Sequence, residues 1–492
     1  MKTKYIFSLA MAGVLSFSMS SCESFVDIEP ISDATTKNAY QTARDAETAL
    51  VGVYESFQAE FYIWDNIHFN DVITDNYYAG GDNQDIIAID LFNLTPNSGR
   101  LWDRWGELYN AIYKANIVLQ QVPKIQDPQL DVNNRREQIL GEASFLRAYH
   151  YYNLVKMWGG VPLYLEPVQS LDKATTQKPR STEAEVYAQI ISDLEFAAQR
   201  LPDAYGDNAG INKARATKGA VNALLAKVYA QKPDRDYNRV VEYANAVINS
   251  SAGYTLLSNY ADLFDGAHYN NAESILEVQF TGGTEGNWGP NLLLPPSLSA
   301  SWRKFVTPSK DLVAAFDSEN DKIRKGASII FENVSWVDEY WSPVTGGSVP
   351  FAYKWKSAAN GASTNRQYIF RLADIILLKA EALNALGRTE EARTALNQVR
   401  SRAKLSDVTT TDQSELKMAI LKERRLELAQ EAQRWDDLRR NGVAVQVMNE
   451  LNEVNLITNQ RVAYNVTVND LLLPIPQQEI NRNPNLAQNP GY

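Results

Sequence analysis

The strongest signal in this chain lies in residues 423–492. They run ERRLELA at residues 423–429, RWDDLRRNG at residues 434–442 and LPIPQQEI at residues 473–480. The first two segments predict one helix that ends at Gly442, because Gly is favoured just after a helix. Arginines and glutamates three and four residues apart predict ion pairs along this helix, and they are Arg424, Arg425, Glu427 and Glu431.

The last part of this stretch is predicted to be extended. Prolines at positions 474, 476, 484 and 490 exclude a helix there. The segment nevertheless keeps an apolar run at residues 471–475. We therefore expect residues 446–492 to form an extended C-terminal segment that docks on the body of the protein.

Three further blocks precede this stretch. They are EASFLRAYHYY at residues 142–152 leading to GGVPL at 159–163, YAQIISDL at 187–194 leading to Leu201 and Pro202, and RLADI at 371–375 followed by AEA at 380–382 and NQVR at 397–400. In this order, and with the C-terminal stretch, they resemble the SusD/RagB family of nutrient-capturing outer-membrane lipoproteins of Bacteroidetes. The resemblance spans nearly the whole mature chain. It implies a protein that binds without cleaving, and it leaves the ligand open.

The N-terminus is typical of a lipoprotein. Lys2 and Lys4 precede a short apolar run at residues 6–17, and Cys22 follows small residues. The run is too short to span a membrane, so residues 1–21 are predicted to be a signal peptide. Cys22 is the lone cysteine and would carry the lipid, with residues 22–39 as a tether. The alternative is an ordinary signal peptide with an incidental cysteine.

The location follows from the lipid anchor and the resemblance. We expect the outer membrane, with the protein facing the cell exterior. Exported members of the family often carry an acidic cluster after the cysteine. Here Glu23 follows directly, with Asp27 and Glu29 further on, so the motif supports surface display only in part.

Charge and composition exclude several classes of partner. The formal net charge is −11, so the surface repels phosphate backbones and nucleic acid is not expected. Neutral ligands are the natural expectation. A single cysteine allows no internal disulfide and no thiolate metal site.

Helical periodicity predicts a mostly α fold. Residues 40–65, 101–122, 136–158 and 182–200 are predicted helices, the last with a capping box between Thr182 and Glu185. Two later segments, residues 216–249 and 372–403, are typical of tetratricopeptide helix pairs with small residues at the helix contacts. Residues 40–258 and 368–445 are therefore expected to form a tetratricopeptide-like superhelical scaffold.

Two stretches break the helical pattern. Residues 259–367 are predicted to be a large loop-rich insertion with short strands, for example at residues 274–280, and with one short helix at 308–316. Residues 66–99 are predicted to be a polar loop. Long loops inside a compact protein usually carry function, so we expect the ligand in residues 259–367, with a contribution from 66–99.

Aromatic residues in these loops are the candidate ligand platforms. Five of the ten tryptophans fall in one segment, at positions 288, 302, 336, 341 and 355. Flat rings stack on sugar faces while polar side chains bind hydroxyls. The predicted ligand-binding residues are Asn76, Tyr77, Tyr78, Asp82, Trp288, Trp336, Tyr340 and Trp341. The alternative for each ring is that it pins its loop onto the scaffold.

Catalytic chemistry is not expected. The three histidines, at positions 68, 150 and 268, have no metalloprotease spacing, and no nucleophile elbow, phosphate loop or dinucleotide fingerprint occurs. We assign no catalytic residue, no metal ligand and no cofactor. Counting carboxylates alone leaves a glycosidase pair open.

The resulting hypothesis is a glycan-binding protein that acts as the lid of a SusC-type TonB-dependent transporter. The first alternative is an oligopeptide-capturing lid of the same kind of transporter. A secreted glycoside hydrolase and a purely structural tetratricopeptide scaffold are the other two. The tryptophan enrichment favours a glycan over a peptide.

Overall fold

The computed structural model describes residues 39–168, 170 and 172–492. The predicted signal peptide, Cys22 and nearly all of the predicted tether lie outside the described residues. The rest of the chain is mostly helical, as predicted. Within the described part, no helix combines the length and the apolar character needed to cross a membrane.

The α-helices follow in chain order. They are α1 Ala43–Tyr54, α2 Gln84–Asp90, α3 Gly99–Gln121, α4 Arg135–Trp158, α5 Lys173–Thr176, α6 Glu183–Ala198, α7 Ala209–Ala214, α8 Lys218–Gln231, α9 Tyr237–Ile248, α10 Gly289–Leu293, α11 Lys310–Ser318, α12 Lys322–Ser328, α13 Leu372–Ala385, α14 Thr389–Arg402, α15 Gln413–Leu428, α16 Arg434–Arg440, α17 Ala444–Glu450 and α18 Gln477–Arg482.

Short strands pair in twos, all antiparallel. They are β1 Tyr77–Tyr78 with β3 Thr307–Pro308, β2 Ser274–Val278 with β6 Gln367–Arg371, β4 Ile329–Asn333 with β5 Ser348–Ala352, and β7 Val454–Asn455 with β8 Gln460–Arg461.

Neighbouring helices pack side by side along the chain. Helix α3 contacts α4, α4 contacts α6, α6 contacts α8, and α8 contacts α9. Helix α9 then contacts α13, which also packs on α14 and α15, so the order continues across the inserted residues. The predicted capping box holds the start of α6: Glu185 N–H donates to Thr182 Oγ1 at 3.2 Å, and Thr182 N–H donates to the Glu185 carboxylate at 2.7 Å. This helix-pair scaffold agrees with the predicted fold class.

The inserted residues leave and rejoin the scaffold at one strand pair. Strand β2 pairs with β6, and β6 runs directly into α13. Between them lie the β4–β5 hairpin and the short helices α10, α11 and α12. The strand expected at residues 274–280 and the helix expected at 308–316 correspond to β2 and α11. Because β2 is fully buried, the insertion is anchored in the core at both ends.

The prediction of a polar loop at residues 66–99 is wrong in part, because His68–Val72 is a buried π-helical turn and Gln84–Asp90 is helix α2. Helix α1 ends at Tyr54 rather than near residue 65, and two π-helical turns follow, Phe61–Asp65 and His68–Val72. Every residue of both turns is buried. The polar residues of this region signalled a loop, but they are satisfied inside: Asp75 accepts from Arg434 at 2.7 Å. Composition misled because the partners lie more than 300 residues away.

The prediction of one charged helix through residues 423–442 is also wrong. Gln430 and Ala432 adopt positive φ of 67° and 56°, which breaks the chain into α15 and α16. The four residues expected to pair along the helix, Arg424, Arg425, Glu427 and Glu431, pair with other residues and not with one another. Arg424 binds Asp374 at 2.7 Å and Asp437 at 2.9 Å, since the side chains of this helix point into the scaffold.

Glu427 is the centre of a buried ionic network. Its carboxylate binds Arg371 at 2.6 Å and Arg324 at 3.1 Å, and it also binds Arg402. Burial opposes the charge, but the surrounding guanidinium groups prevail and hold the pKa of Glu427 below its ordinary value. The network joins α12, β6, α14 and α15, so it ties the insertion to the scaffold.

The C-terminal segment lies against α4. Leu473 N–H donates to Met157 O at 2.8 Å, and the Trp158 indole donates to Pro474 O at 3.0 Å. Asn489 donates to Trp158 O at 3.1 Å. The expectation that prolines exclude helix is wrong in one place, because α18 begins directly after Pro476, and Pro is tolerated at a helix start.

Candidate ligand-binding site

A turn at residues 338–342 organises the aromatic part of the insertion. The Asp338 carboxylate is buried and accepts the backbone N–H of Tyr340 at 3.0 Å and of Trp341 at 2.9 Å. The Tyr78 hydroxyl donates to its two oxygens at 2.9 and 3.0 Å. Lys304 Nζ lies 3.0 Å away. Since this carboxylate is saturated with donors, the turn is fixed in place.

Two tryptophans stack beside this turn. The rings of Trp302 and Trp336 lie 4.9 Å apart with an interplanar angle of 22°. Trp302 also meets the edge of Phe351, from strand β5, at 4.9 Å. Both indoles are half-buried. The pair therefore forms a rigid double ring supported by the β4–β5 hairpin.

Tyr340 and Trp341 face different neighbours. Tyr340 contacts Tyr78 edge to face at 4.5 Å. Burial, reinforced by Glu453 and other nearby carboxylates, raises the pKa of Tyr340 well above its ordinary value, so its hydroxyl stays neutral. The Trp341 indole N–H donates to Pro308 O at 2.9 Å. Trp341 is thus tied to strand β3.

The chain from Gly80 to Asp82 forms the rim of this surface. Gly80 N–H donates to Lys304 O at 2.7 Å, and a Cβ at Gly80 would lie 2.6 Å from the Lys304 side chain. A larger residue at position 80 would therefore require the Lys304 side chain to move. Asp82 follows and is exposed. We name the aromatic loop surface as residues 80–83, 302–304 and 335–347.

Three predicted ligand residues fall behind this surface rather than on it. Asn76, Tyr77 and Tyr78 are each 1 % exposed or less. Asn76 Oδ1 accepts from Arg425 at 2.8 Å, and both tyrosines form β1, which pairs with β3. Their side chains build the interior, so they present no face to a ligand. This corrects their assignment as platforms.

Trp288 lies apart from the other predicted rings. It is half-buried, and its ring contact is with Trp64 at 6.0 Å. It directly precedes α10. The structure brings Trp336 and Trp341 together on one cluster of Val334, Val349 and Phe351. Tyr340 lies beside Trp341 on the turn held by Asp338. Asp82 follows Gly80 on the neighbouring segment, and Trp288 lies outside this group.

Sequence reasoning missed three residues of the surface: Trp302, Lys304 and Asp338. Trp302 could have been predicted, because it belongs to the same tryptophan-rich segment. The sequence signal for Asp338 is weaker: Asp is favoured at the start of turns. Lys304 binds Asp338 and Glu339, and nothing in the sequence indicates that pairing.

An acidic group lies beneath the surface. Leu456 N–H donates to Glu339 O at 2.6 Å, which places the β7–β8 hairpin against the turn. Glu453, next to this hairpin, accepts the Tyr464 hydroxyl at 2.5 Å. Burial raises the pKa of Glu453 to about 7 and holds the pKa of Asp90 well above its ordinary value.

Other places where a ligand or metal could bind lie away from this surface. A cleft of about 840 Å³ lies between α1, α3 and β2. One group of potential metal ligands occurs within the described residues: Asp262, Asp265 and His268. His268 is exposed and Nδ1 lies 2.6 Å from Asp265, so this group is an ion pair on the surface.

Comparison with known proteins gives two family matches. A model described as the SusD family matches residues 337–492, and a model described as starch-binding and associating with the outer membrane matches residues 15–230. Together they cover about three quarters of the chain.

Individual relatives agree with these matches. SusD-like protein P38 of Formosa agariphila is 29% identical over 520 residues, covering 96% of both chains. Starch-binding protein SusD of Bacteroides thetaiotaomicron is 28% identical over 327 residues, covering 60% of this chain and 55% of its own. A solved laminarin binding SusD-like protein is 27% identical with a TM-score of 0.76, covering 92% of this chain and 100% of its own.

Proposed function

The chain belongs to the SusD family, and from this we propose that it is a lipid-anchored glycan-binding protein of the outer membrane, facing the cell exterior. It captures a neutral oligosaccharide and passes it to a transporter of the SusC type, for which it acts as the lid. The observation that carries the proposal is the stacked Trp302–Trp336 pair at the edge of a rigid turn.

The geometry suits a sugar ring. A pyranose offers an apolar C–H face to an aromatic ring and hydroxyls to polar groups at its edge. Trp336 and Trp302 supply the rings. Asp82, Glu339 and Arg303 lie within the same surface, and Asp82 and Arg303 are exposed. A platform held by Asp338 loses little entropy on binding, because the turn is already ordered.

Relatives with named ligands support a carbohydrate. One curated relative is a starch-binding protein, and one structural relative binds laminarin. Both ligands are neutral glucans, and a chain of net charge −11 is not expected to favour anionic ligands. No catalytic role is proposed, since no paired acid and base have been identified on the aromatic loop surface.

Calorimetric titration of the full chain in detergent tests the proposal. The probes are maltohexaose, laminarihexaose and a mixture of neutral pentapeptides. We expect saturable binding of at least one glucan, and weaker binding by the Trp336→Ala variant. Binding of the peptides alone would favour the oligopeptide-capturing alternative. Glucan binding that Trp336→Ala leaves unchanged contradicts the assignment of this surface.

The lid role is tested separately by co-purification. The chain, produced together with a SusC-type transporter from the same organism, should elute as one complex from a sizing column. Independent elution at micromolar concentration contradicts the partnership and leaves the glycan proposal standing.

A further inference from the structure

A separate cleft with aromatic lining lies where the C-terminal segment meets α3. Its volume is about 520 Å³. It is lined by α3, by residues 162–168, and by α18 with the residues just after it. None of these residues belongs to the aromatic loop surface. We call it the C-terminal cleft.

One face of α3 forms the aromatic wall. Trp105, Tyr109 and Tyr113 are spaced four residues apart, so they share that face. The rings of Trp105 and Tyr109 lie 5.1 Å apart, and Tyr164 meets Tyr109 edge to face at 5.8 Å. Tyr113 is 42% exposed. The wall therefore ends in a ring with a solvent-accessible face.

The wall is held rigid by hydrogen bonds from its tyrosine hydroxyls to backbone carbonyls. The Tyr109 hydroxyl donates to Pro162 O at 2.8 Å, and the Tyr164 hydroxyl donates to Thr176 O at 2.7 Å. On the opposite side, the Trp102 indole donates to Glu479 at 2.9 Å. A cleft whose rings are already fixed can bind with little loss of conformational entropy.

The charges around the cleft balance. Lys178 Nζ lies 5.3 Å from the centre of the Tyr164 ring, and Arg482 lies 5.1 Å from that of Trp102. Glu479 and Glu166 oppose them. Glu166 is exposed, and no hydrogen-bond partner for it occurs among the described residues. A charged ligand would meet an equal number of attractive and repulsive groups, so the balance favours a neutral one.

The chemistry of the lining narrows the ligand further. A purely apolar ligand would cover Glu166 and Gln177 without replacing their water, which is costly. A ligand with an apolar ring face and several hydroxyls satisfies both the tyrosines and the polar rim. We propose that the C-terminal cleft is a second carbohydrate-binding site, taking one or a few units of a neutral oligosaccharide independently of the aromatic loop surface.

Binding stoichiometry tests this. The full chain in detergent is titrated with a panel of neutral oligosaccharides that includes maltohexaose and laminarihexaose. The same titration is run for Tyr113→Ala, Glu166→Ala and Trp336→Ala. Tyr243→Ala, which removes a half-buried tyrosine from the distant helix α9, is the matched control. Tyr113→Phe keeps the ring and should keep binding.

We expect the native protein to bind about two equivalents of oligosaccharide. In Tyr113→Ala the affinity for one of them should fall by about tenfold or more, by analogy with base stacking on aromatic side chains. Glu166→Ala should weaken the same equivalent, and Trp336→Ala should leave it intact. The control should bind as the native protein does.

Each other outcome is informative. A single equivalent that responds to Trp336→Ala and not to Tyr113→Ala overturns the second site and leaves the proposed function standing. A single bound equivalent whose affinity falls only in Tyr113→Ala supports the C-terminal cleft and contradicts the aromatic loop surface as a binding site. No bound sugar anywhere in the panel overturns both. Binding of a peptide, but no sugar, through Tyr113 overturns the carbohydrate assignment.

Discussion

Trp336 and Trp341 lie five positions apart, and their surroundings give them different roles. Trp336 stacks on Trp302, and its indole N–H is shielded without a partner among the described residues. The Trp341 N–H is bonded to strand β3, and its ring meets Phe331 at 5.6 Å. We therefore propose the platform role for Trp336, whereas the contacts of Trp341 are those of a ring that pins its loop.

Trp336→Ala is expected to weaken glucan binding by about 1–3 kcal/mol, the range measured for single stacked rings. Calorimetric titration measures this. Trp341→Ala is the comparison: it should lower the melting temperature and change affinity less, because it removes a structural hydrogen bond. Equal affinity losses in the two variants would contradict the division of roles.

Glu453 gives the surface a pH-dependent stability. Burial raises its pKa from 4.5 to about 7, so the folded protein keeps a proton that the unfolded chain releases earlier. The free energy of unfolding therefore falls as pH rises from about 4.5 to about 7. The groups facing Glu453 are Tyr464, Asp90, Asp311, Asp338 and Lys310.

Glu453→Gln keeps a neutral side chain at every pH. We expect it to gain stability relative to the native protein between pH 5 and pH 8, by about 2 kcal/mol, since each pKa unit is worth about 1.4 kcal/mol. Denaturant titrations at both pH values measure the change. Glu450→Gln, on the exposed side of α17, is the control. A stability difference that does not change with pH would show that Glu453 ionises normally.

The sequence identified the tryptophan-rich segment, but it could not show which of the rings are exposed and which are held by other segments. Whether a ring is exposed depends on which residues of other segments pack against it. Trp341 is bonded to Pro308 and Trp302 packs on Phe351, and both partners are distant in the chain. Tyr77 and Tyr78 show the same limit: their polar neighbours suggested a loop, while their strand partner is 230 residues away.

Helix α15 shows how an element of high charge can be buried. Its polar face inserts into the scaffold because Asp374 and Asp437 bind Arg424 there. Arg324 and Arg371 bind Glu427 on the same helix. Periodicity predicted a helix in this region correctly. It could not predict the break at Gln430 and Ala432 or the direction of the charged face, since a surface helix and this one have similar composition.

Arg424→Met is expected to destabilise the protein by about 3–5 kcal/mol, the cost of leaving buried charges unpaired. Arg424 is fully buried between Asp374 and Asp437. Arg388→Met is the matched control, because the Arg388–Glu391 pair lies on the surface at the start of α14, and exposed ion pairs contribute little to stability. Urea titration of both variants decides; similar midpoints would mean that the network adds little.

Elements defined by local rules were predictable. The capping box of α6 and the helix pairs α8–α9 and α13–α14 follow from signals within a few residues. The π-helical turns at residues 61–72 were not, because their burial depends on partners such as Arg434 and Ala432. Asp71, for example, accepts Ala432 N–H at 2.8 Å.

At the scale of the whole molecule, anchoring depends on Cys22 in our proposal. Cys22→Ala should leave the protein in the soluble fraction after cell lysis and a high-salt wash, because the side chain that would carry the lipid is removed. Immunoblotting of the fractions measures this. Cys22→Ala protein that still pellets with outer membrane would show that another contact holds it.

The whole chain is also expected to return its ligand intact. Native protein kept for a day with maltohexaose or laminarihexaose, with and without divalent cations, should yield only the starting sugar by chromatography. Affinity should change little with salt, because stacking and neutral hydrogen bonds are weakly screened. A product that grows with protein concentration would contradict the binding role.

The pairing of Asp75 with Arg434 has a consequence for biosynthesis. The Asp75 carboxylate is buried and binds Arg425 and Arg434, which lie 350 and 359 residues later in the chain. A chain cut short by a premature stop codon before Arg425 leaves this buried charge unpaired. We therefore expect such a chain to be degraded rather than to accumulate as a partial scaffold.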